Sequence, residues 1–208
     1  MVDFQALSDS LIAGQAPRVK ELVLEAIKEN IPPAEILSKG LIAGMSVVGE
    51  RFKKNEIYVP EVLIAARAMH AGMDELKPIL LKAGIEPKGL FAIGTVKGDL
   101  HDIGKNLVMM MMEGAGYKVI DLGVDVVPEK YVETVKEGVQ IIGMSALLTT
   151  TMPSMKTSID AIKAAGIRDN VKIMVGGAPL TQAYADEIGA DGFAPDAASA
   201  VEKANEFI

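Results

Sequence analysis

Residues 90–106, LFAIGTVKGDLHDIGKN, contain the clearest change of pattern in the chain. The mostly apolar run 90–96 is typical of a buried strand, and a polar loop around His101 follows it before apolar residues return at helical spacing. Ligands of an open parallel sheet bind beyond the carboxyl ends of its strands, where such a loop would lie. The stretch therefore predicts a strand, a loop facing a ligand, and a helix.

The sequence after this stretch alternates in the same way. Further short apolar runs are separated by segments long enough for helices, and they lie at 117–121, 139–145, 171–175 and near 191–193. Strands that alternate with helices are typical of a parallel sheet covered by helices on both faces. We predict a flavodoxin-like (Rossmann-type) five-stranded parallel sheet domain over residues 87–208.

The first part of the chain has only helical periodicity. Apolar residues recur every three or four positions, prolines stand at expected helix starts and glycines near the ends, which predicts four helices within residues 1–83. Gly84 and Pro87 interrupt this pattern, so residues 81–88 are interpreted as a linker. The predicted fold class is α + α/β, with a four-helix bundle domain over residues 1–86 preceding the sheet domain.

The composition excludes several kinds of chemistry. The chain has no cysteine, which rules out disulfides, thiolate nucleophiles and cysteine-ligated metal sites. Any imidazole chemistry must use His70 or His101. A net charge of -7 without a basic cluster argues against nucleic acid and anionic membranes as partners. With neither a long apolar run nor a signal-peptide pattern, we expect a cytoplasmic protein.

Three loops that follow predicted strands carry unusual residues. Asp99 lies two positions from His101, and it could orient one ring nitrogen so that the other binds a metal. Four hydroxyl residues lie within 145–151, and Gly176-Gly177 follows the next strand. Each motif alone has an ordinary interpretation, respectively a surface hydrogen bond, a helix cap and a tight turn. A single imidazole is a sufficient protein ligand only for a metal that arrives within a macrocycle.

The three motifs together resemble a known signature. Asp99-x-His101-x-x-Gly104 is followed after 40 residues by Ser145-x-Leu147, and after a further 28 by Gly176-Gly177. This pattern is similar to that of the cobalamin-binding domain of methionine synthase and its relatives. Segments 49–52 (GERF), 58–61 (YVPE) and 65–69 (AARAM) resemble the helical cap over the corrinoid in that family. Free-standing chains with both parts are the corrinoid proteins of methanogen and acetogen methyltransferase systems.

The resemblance implies a role for each matching residue. His101 would be the lower axial ligand to cobalt in a base-off, histidine-on cobalamin or other benzimidazolyl cobamide. Asp99 and Thr151, the latter a serine in methionine synthase, would form a proton relay with His101, and these three would be the catalytic residues. The remaining cofactor-binding residues would be Gly98, Asp102, Ile103, Gly104, Ser145, Leu147, Thr149, Gly176 and Gly177, with Phe52 and Val59 over the methyl ligand.

The implied function is that of a methyl carrier subunit, which is not an enzyme by itself. Cobalt would cycle between cobalt(I) and methyl-cobalt(III), and loss of the axial ligand would be coupled to proton uptake by the His101–Asp99 pair. Implied partners are a methyltransferase specific for methanol, a methylamine or a methoxylated aromatic, a second methyltransferase for tetrahydrofolate or a thiol, and a reductive activation protein.

Other functions share parts of this pattern. A subunit of an adenosylcobalamin mutase would have the histidine and glycine motifs, but a helical cap would obstruct its substrate. A cobalamin-binding sensor or regulator usually has a tryptophan in the cap and a DNA-binding domain, whereas this chain contains no tryptophan. A flavodoxin or a receiver domain without a corrinoid would explain the fold but not His101.

Overall fold

The computed structural model describes residues 3–208, which divide into two compact units. One unit contains residues 3–87 and 114–116, and the other contains residues 88–113 and 117–208. No helix within the described part of the chain is long and apolar enough to cross a membrane. Each unit has its own pattern of secondary structure.

The first unit is helical. Its helices are α1 (Phe4–Ile12), α2 (Ala16–Lys28), α3 (Pro33–Glu35), α4 (Ala43–Lys53) and α5 (Val59–Lys82), with a π-helical segment, Ile36–Ile42, between α3 and α4. Since α3, the π-helical segment and α4 are continuous, the unit consists of four helical segments, as the sequence predicts. Proline stands in the first turn of α2, α3 and α5, where its missing N–H group has no helical partner to lose.

Close packing in this unit depends on small residues. A Cβ atom at Gly40 would collide with Cδ2 of Leu7, so a larger residue here would force the Leu7 side chain of α1 to move away from the π-helical segment. The core consists of side chains that repeat at helical spacing on α1, α2 and α5, including Leu7, Leu11, Val19, Val23, Val62, Ala66, Met69 and Leu76.

The second unit is a five-stranded parallel sheet with helices, which confirms the predicted fold class. Its strands are β1 (Leu90–Val96), β2 (Lys118–Val126), β3 (Ile141–Ser145), β4 (Lys172–Gly176) and β5 (Gly192–Ala194), in the order β2-β1-β3-β4-β5. Its helices are α6 (Ile103–Gly114), α7 (Pro128–Lys136), α8 (Pro153–Ala164), α9 (Gln182–Ile188) and α10 (Ala197–Asn205), with a 3-10 turn at Arg168–Asn170. Apolar residues of the central strands fill the core, where Ala92, Ile142 and Ile173 are fully buried.

The sheet register brings the ends of three strands together. Thr95 of β1 pairs with Ser145 of β3, and Ser145 pairs with Gly176 of β4. The loops that follow these strands therefore begin side by side at the carboxyl edge of the sheet, where ligands of parallel sheets bind. The three sequence motifs lie in these loops.

β2 extends further than the apolar run predicts. The sequence pattern indicates a strand ending at Asp121, but β2 continues to Val126, with register shifts against β1 beyond Asp121. β2 is an edge strand that pairs only with β1, so its residues need not be apolar on both faces. A search for apolar runs therefore misses its second half.

Candidate functional site

The loop that carries His101 is held by hydrogen bonds to the end of β1. Gly98 has a φ of 85°, and the next amide, that of Asp99, donates to the carbonyl of Val96 at 3.0 Å. The buried hydroxyl of Thr95 donates to the carbonyl of His101 at 2.9 Å. The loop therefore turns back over β1 and brings His101 to the carboxyl edge of the sheet.

Asp99 orients the imidazole ring of His101. The Asp99 side chain is fully buried, whereas that of His101 is 50% exposed. Oδ1 of Asp99 lies 2.7 Å from Nδ1 of His101 and accepts a second hydrogen bond from the His101 amide at 3.1 Å. An ionised carboxylate only accepts hydrogen bonds, so the proton of the neutral ring lies on Nδ1. Nε2 then has a free lone pair, which a metal can accept.

The loop after β3 binds the second oxygen of Asp99. Oδ2 accepts hydrogen bonds from the amides of Leu147 at 2.8 Å and Leu148 at 3.3 Å, and from the buried hydroxyl of Thr151 at 2.7 Å. Burial raises the pKa of Asp99, but the hydrogen bonds from Thr151, Leu147 and His101 outweigh this effect and hold the pKa well below its usual value. Asp99 therefore stays ionised at neutral pH.

The backbone of this loop has a part in the site that the sequence does not predict. Leu147 and Thr151 are both predicted site residues, but the amides of Leu147 and Leu148 also hold Asp99. Main-chain donors have no residue signature, so only the position of the loop after a neighbouring strand could have indicated them.

The glycines at the site differ in whether the fold of the protein requires them. A Cβ at Gly177, which has a φ of 137°, would lie 1.9 Å from the carbonyl oxygen of Ala146, and one at Gly176 would lie 3.0 Å from that of Ala194. Close packing of the strand ends therefore requires both. Gly104, in contrast, lies in α6, and a Cβ there would have no protein atom within 4 Å. The space at Gly104 is free for a ligand.

Apolar side chains near His101 are exposed to solvent. Leu100 is 70% exposed and Ile103 is 77% exposed, and the loop that binds Asp99 exposes about two fifths of Leu147 and Leu148. Large apolar side chains concentrated at one place on a surface mark a binding site. These apolar side chains, Nε2 of His101 and the open space at Gly104 together fit the flat, largely apolar face of a corrin ring. Ser145 is half-buried, while Asp102 and Thr149 are exposed.

Phe52 and Val59 lie in the helical unit. Phe52 is near the end of α4, Val59 is the first residue of α5, and both side chains are partly buried. The turn between α4 and α5 therefore separates them. Their role at a cofactor remains a prediction from the resemblance.

Comparisons with known proteins show which family the chain resembles. The B12 binding domain family matches residues 89–204, and a second B12 binding domain family matches residues 3–77. The dimethylamine corrinoid protein 1 of Methanosarcina acetivorans is 46% identical over 91% of both chains. A cobalamin-binding protein of Desulfitobacterium hafniense has a TM-score of 0.84 at 33% identity, with all of both chains covered. The methanol:cobalamin methyltransferase complex of Methanosarcina barkeri contains a chain with a TM-score of 0.87 at 29% identity, and the match covers 98% of this chain and 78% of that chain.

Both units are covered by these matches, and the identity to the dimethylamine corrinoid protein extends over nearly the whole length of each chain. The chain therefore belongs to the B12-binding corrinoid proteins of methyltransferase systems.

Proposed function

We propose that this chain is a corrinoid-binding methyl carrier in which Nε2 of His101 is the lower axial ligand to cobalt. The observation that carries the proposal is the 2.7 Å contact between Nδ1 of His101 and the buried Asp99. It leaves Nε2 of the half-exposed His101 side chain as the metal-binding atom. The exposed apolar side chains at 100, 103, 147 and 148 support a macrocycle as the source of the other metal ligands.

The bound corrinoid would supply the cobalt that accepts and releases the methyl group. His101 would hold the metal through Nε2, while Nδ1 keeps its proton and donates a hydrogen bond to Oδ1 of Asp99. Because the amides of the loop after β3 and the Thr151 hydroxyl keep Asp99 ionised, the carboxylate favours electron donation from the ring and stabilises positive charge on it. If Nε2 were released from the metal it could take up a proton, and the carboxylate of Asp99, 2.7 Å from Nδ1, would stabilise the imidazolium.

We further propose a methylamine as the source of the methyl group. The dimethylamine corrinoid protein is 46% identical to this chain, whereas the matched chain of the methanol complex is 29% identical. Transfer from the amine would require a separate methyltransferase, and transfer onward would require a second one for tetrahydrofolate or a thiol. A reductive activation protein would restore cobalt that has been oxidised, and all these partners would be cytoplasmic.

The ligand assignment is tested on the corrinoid-loaded protein in its cobalt(II) form by electron paramagnetic resonance. We expect an axial nitrogen coupling that His101→Ala removes and that His70→Ala, a control in the helical unit, leaves intact. A spectrum without this coupling, or a coupling that persists in His101→Ala, would show that His101 is not the ligand.

The carrier role is tested by methyl transfer. The loaded protein should become methylated from dimethylamine only with a dimethylamine-specific methyltransferase present, and more readily than from methanol with a methanol-specific enzyme. Exclusive use of methanol would overturn the donor, and methylation without any partner would overturn the carrier role. Tight binding of DNA, or an adenosyl radical released by light, would support a regulator or a mutase subunit instead.

A further inference from the structure

The second half of β2 contacts the histidine loop at two places. Residues 121–125, which we call the β2 segment, lie where the register between β1 and β2 shifts. Within it, Gly123 has a φ of 84° and Asp125 a φ of 53°. Asp125 therefore adopts a left-handed conformation that residues other than glycine, asparagine and aspartate rarely adopt. Such a conformation persists where surrounding contacts stabilise it.

The first contact precedes His101 in the sequence. Oδ1 of Asp125 accepts a hydrogen bond from the amide of Gly98 at 2.7 Å, and the amide of Asp125 donates to the carbonyl of Asp99 at 3.0 Å. Both bonds depend on the unusual backbone conformation of Asp125, which directs its amide and its carboxylate toward the same loop. They fix the backbone of the residue that orients the His101 ring.

The second contact follows His101. Lys105, in the first turn of α6, is only 2% exposed, which is rare for a lysine. Its Nζ donates to Oδ1 of Asp121 at 2.7 Å, and that oxygen also accepts the amide of Gly123 at 2.8 Å. A buried ammonium without its carboxylate would be strongly disfavoured, so this ion pair fixes the start of α6 against the β2 segment.

A short chain of hydrogen bonds extends the second contact toward His101. Lys105 Nζ donates to Oδ1 of Asn106 at 2.8 Å, and Nδ2 of Asn106 donates to Oδ2 of Asp102 at 3.2 Å. Asp102 is the next residue after His101. The Lys105 side chain is therefore buried, and its charge is paired inside the protein.

We propose that the β2 segment is a positioning element for His101, with Asp125 and Asp121 holding the loop on either side of it. This inference rests on the proposed function, in which the direction of Nε2 decides how well the imidazole binds cobalt. Asp99 fixes the ring relative to the loop, and the β2 segment fixes the loop relative to the sheet. Groups that orient a metal-binding histidine typically change metal affinity by about 10–100-fold when they are removed.

Two variants each remove one contact. Asp125→Gly keeps the left-handed backbone but removes the carboxylate, and Lys105→Met replaces the buried ammonium with an apolar chain of similar length. If Lys105→Met does not fold, Asp121→Asn removes the charge of its partner, whose side chain is 45% exposed. Asp125→Asn retains an acceptor oxygen and tolerates the same backbone conformation, so it should restore wild-type behaviour.

Arg168→Met is the matched control for a general loss of stability. Arg168 donates to Asp191 at 2.7 Å and to the carbonyls of Val171 and Gly189. Asp191 binds the amide of Ile173 near the start of β4, at the opposite edge of the sheet from the histidine loop. The control therefore breaks a partly buried ion pair of the same unit without touching the loop.

The first readout needs no cofactor. Nitrogen-15 NMR of the His101 ring should show the Nδ1-protonated tautomer in the wild-type protein and a mixture of tautomers in Asp125→Gly and Lys105→Met. The second readout is affinity for cob(II)alamin together with the axial nitrogen coupling, and we expect each variant to bind about tenfold more weakly and to show a broadened coupling. Arg168→Met should lower the melting temperature and change neither readout.

Wild-type ring signals and affinity in both variants would overturn the positioning role, and so would equal changes in Arg168→Met. Failure of the proposed function gives a different result, because the wild-type protein would then show no axial nitrogen coupling. In that case the tautomer measurement on the cofactor-free protein still decides whether the β2 segment positions His101.

Discussion

The hydroxyl of Thr151 donates a hydrogen bond to a buried carboxylate, and it should contribute measurably to the free energy of unfolding. Its Oγ1 lies 2.7 Å from Oδ2 of the fully buried Asp99. Thr151→Val keeps the shape and removes one donor to an ionised acceptor, so we expect the free energy of unfolding to fall by about 2 kcal/mol in urea denaturation.

Two variants serve as controls for this change. Thr151→Ser keeps the hydroxyl and should cost about 0.8 kcal/mol for the lost methyl group. Thr134→Val makes the same substitution at a buried hydroxyl that donates to the Lys130 carbonyl, a neutral acceptor, and should cost about 1 kcal/mol or less. Equal losses in Thr151→Val and Thr134→Val would contradict a special role for the bond to Asp99.

The ion pair between Asp121 and Lys105 should make the stability of the protein depend on pH. Burial raises the pKa of its carboxyl group, but the hydrogen bond from Lys105 and the amide of Gly123 outweigh burial and lower the pKa below its usual value. The pKa of Asp121 is lower in the folded protein than in the unfolded chain. The ion pair therefore makes its full contribution to the free energy of unfolding above about pH 4, and this contribution is lost as the pH falls through the folded-state pKa. Carbon-13 NMR of the Asp121 carboxyl should give a midpoint below that of an aspartate in an unfolded chain.

Lys105→Met should raise this midpoint, because burial raises the pKa of Asp121 and the hydrogen bond from Lys105 that lowers it would be lost. Lys156→Met, which removes the partner of the exposed Asp160, should leave the Asp121 midpoint unchanged. An Asp121 midpoint that is the same with and without Lys105 would show that the ion pair does not form in solution.

The first turn of α6 has a glycine that neither packing nor backbone conformation requires. A Cβ at Gly104 would meet nothing within 4 Å, and the residue has no left-handed φ. Gly104→Ala should therefore raise the stability of the cofactor-free protein by about 0.5–1 kcal/mol through helix propensity. It should also weaken corrinoid binding, because the added methyl group occupies the space proposed for the ligand.

Urea denaturation and corrinoid titration of the same variant separate these two effects. Gly72→Ala in α5, where a Cβ would lie 3.0 Å from Leu41 and Val19, is a control whose changes should be confined to stability. Undiminished corrinoid affinity in Gly104→Ala would indicate that the ligand does not use this space.

The elements also show which features a sequence can predict. β1 is buried on both faces, so its apolar run has the observed limits, 90–96, and the three motifs follow strands whose ends lie in register. The edge strand β2 is exposed along much of its length, and its second half escaped prediction for that reason. Asp125 lies in this half, whereas Asp121 is the last residue of the predicted run. Nothing in an isolated aspartate indicates that it holds a loop from another part of the chain.

At the scale of the whole molecule, all the contacts that orient His101 belong to one unit. Its described hydrogen-bond partners and those of Asp99 lie between Thr95 and Thr151, and the sheet has a core of its own. We therefore expect a fragment of residues 88–208, loaded with cob(II)alamin, to retain the axial nitrogen coupling of the full chain. Methyl transfer with the partner methyltransferase should nevertheless fall, since the helical unit carries Phe52 and Val59, which the resemblance predicts to lie over the methyl ligand.

Phe52→Ala in the full chain separates loss of the helical unit from loss of one side chain within it. It should leave the axial coupling unchanged and reduce methyl transfer, because an apolar side chain that shields the reactive face acts on transfer and not on the lower ligand. A fragment that lacks the coupling while the full chain shows it would mean that the helical unit takes part in orienting His101. Unchanged transfer in both the fragment and Phe52→Ala would remove the assigned role of this unit, since only the α/β unit would then be needed to carry the methyl group.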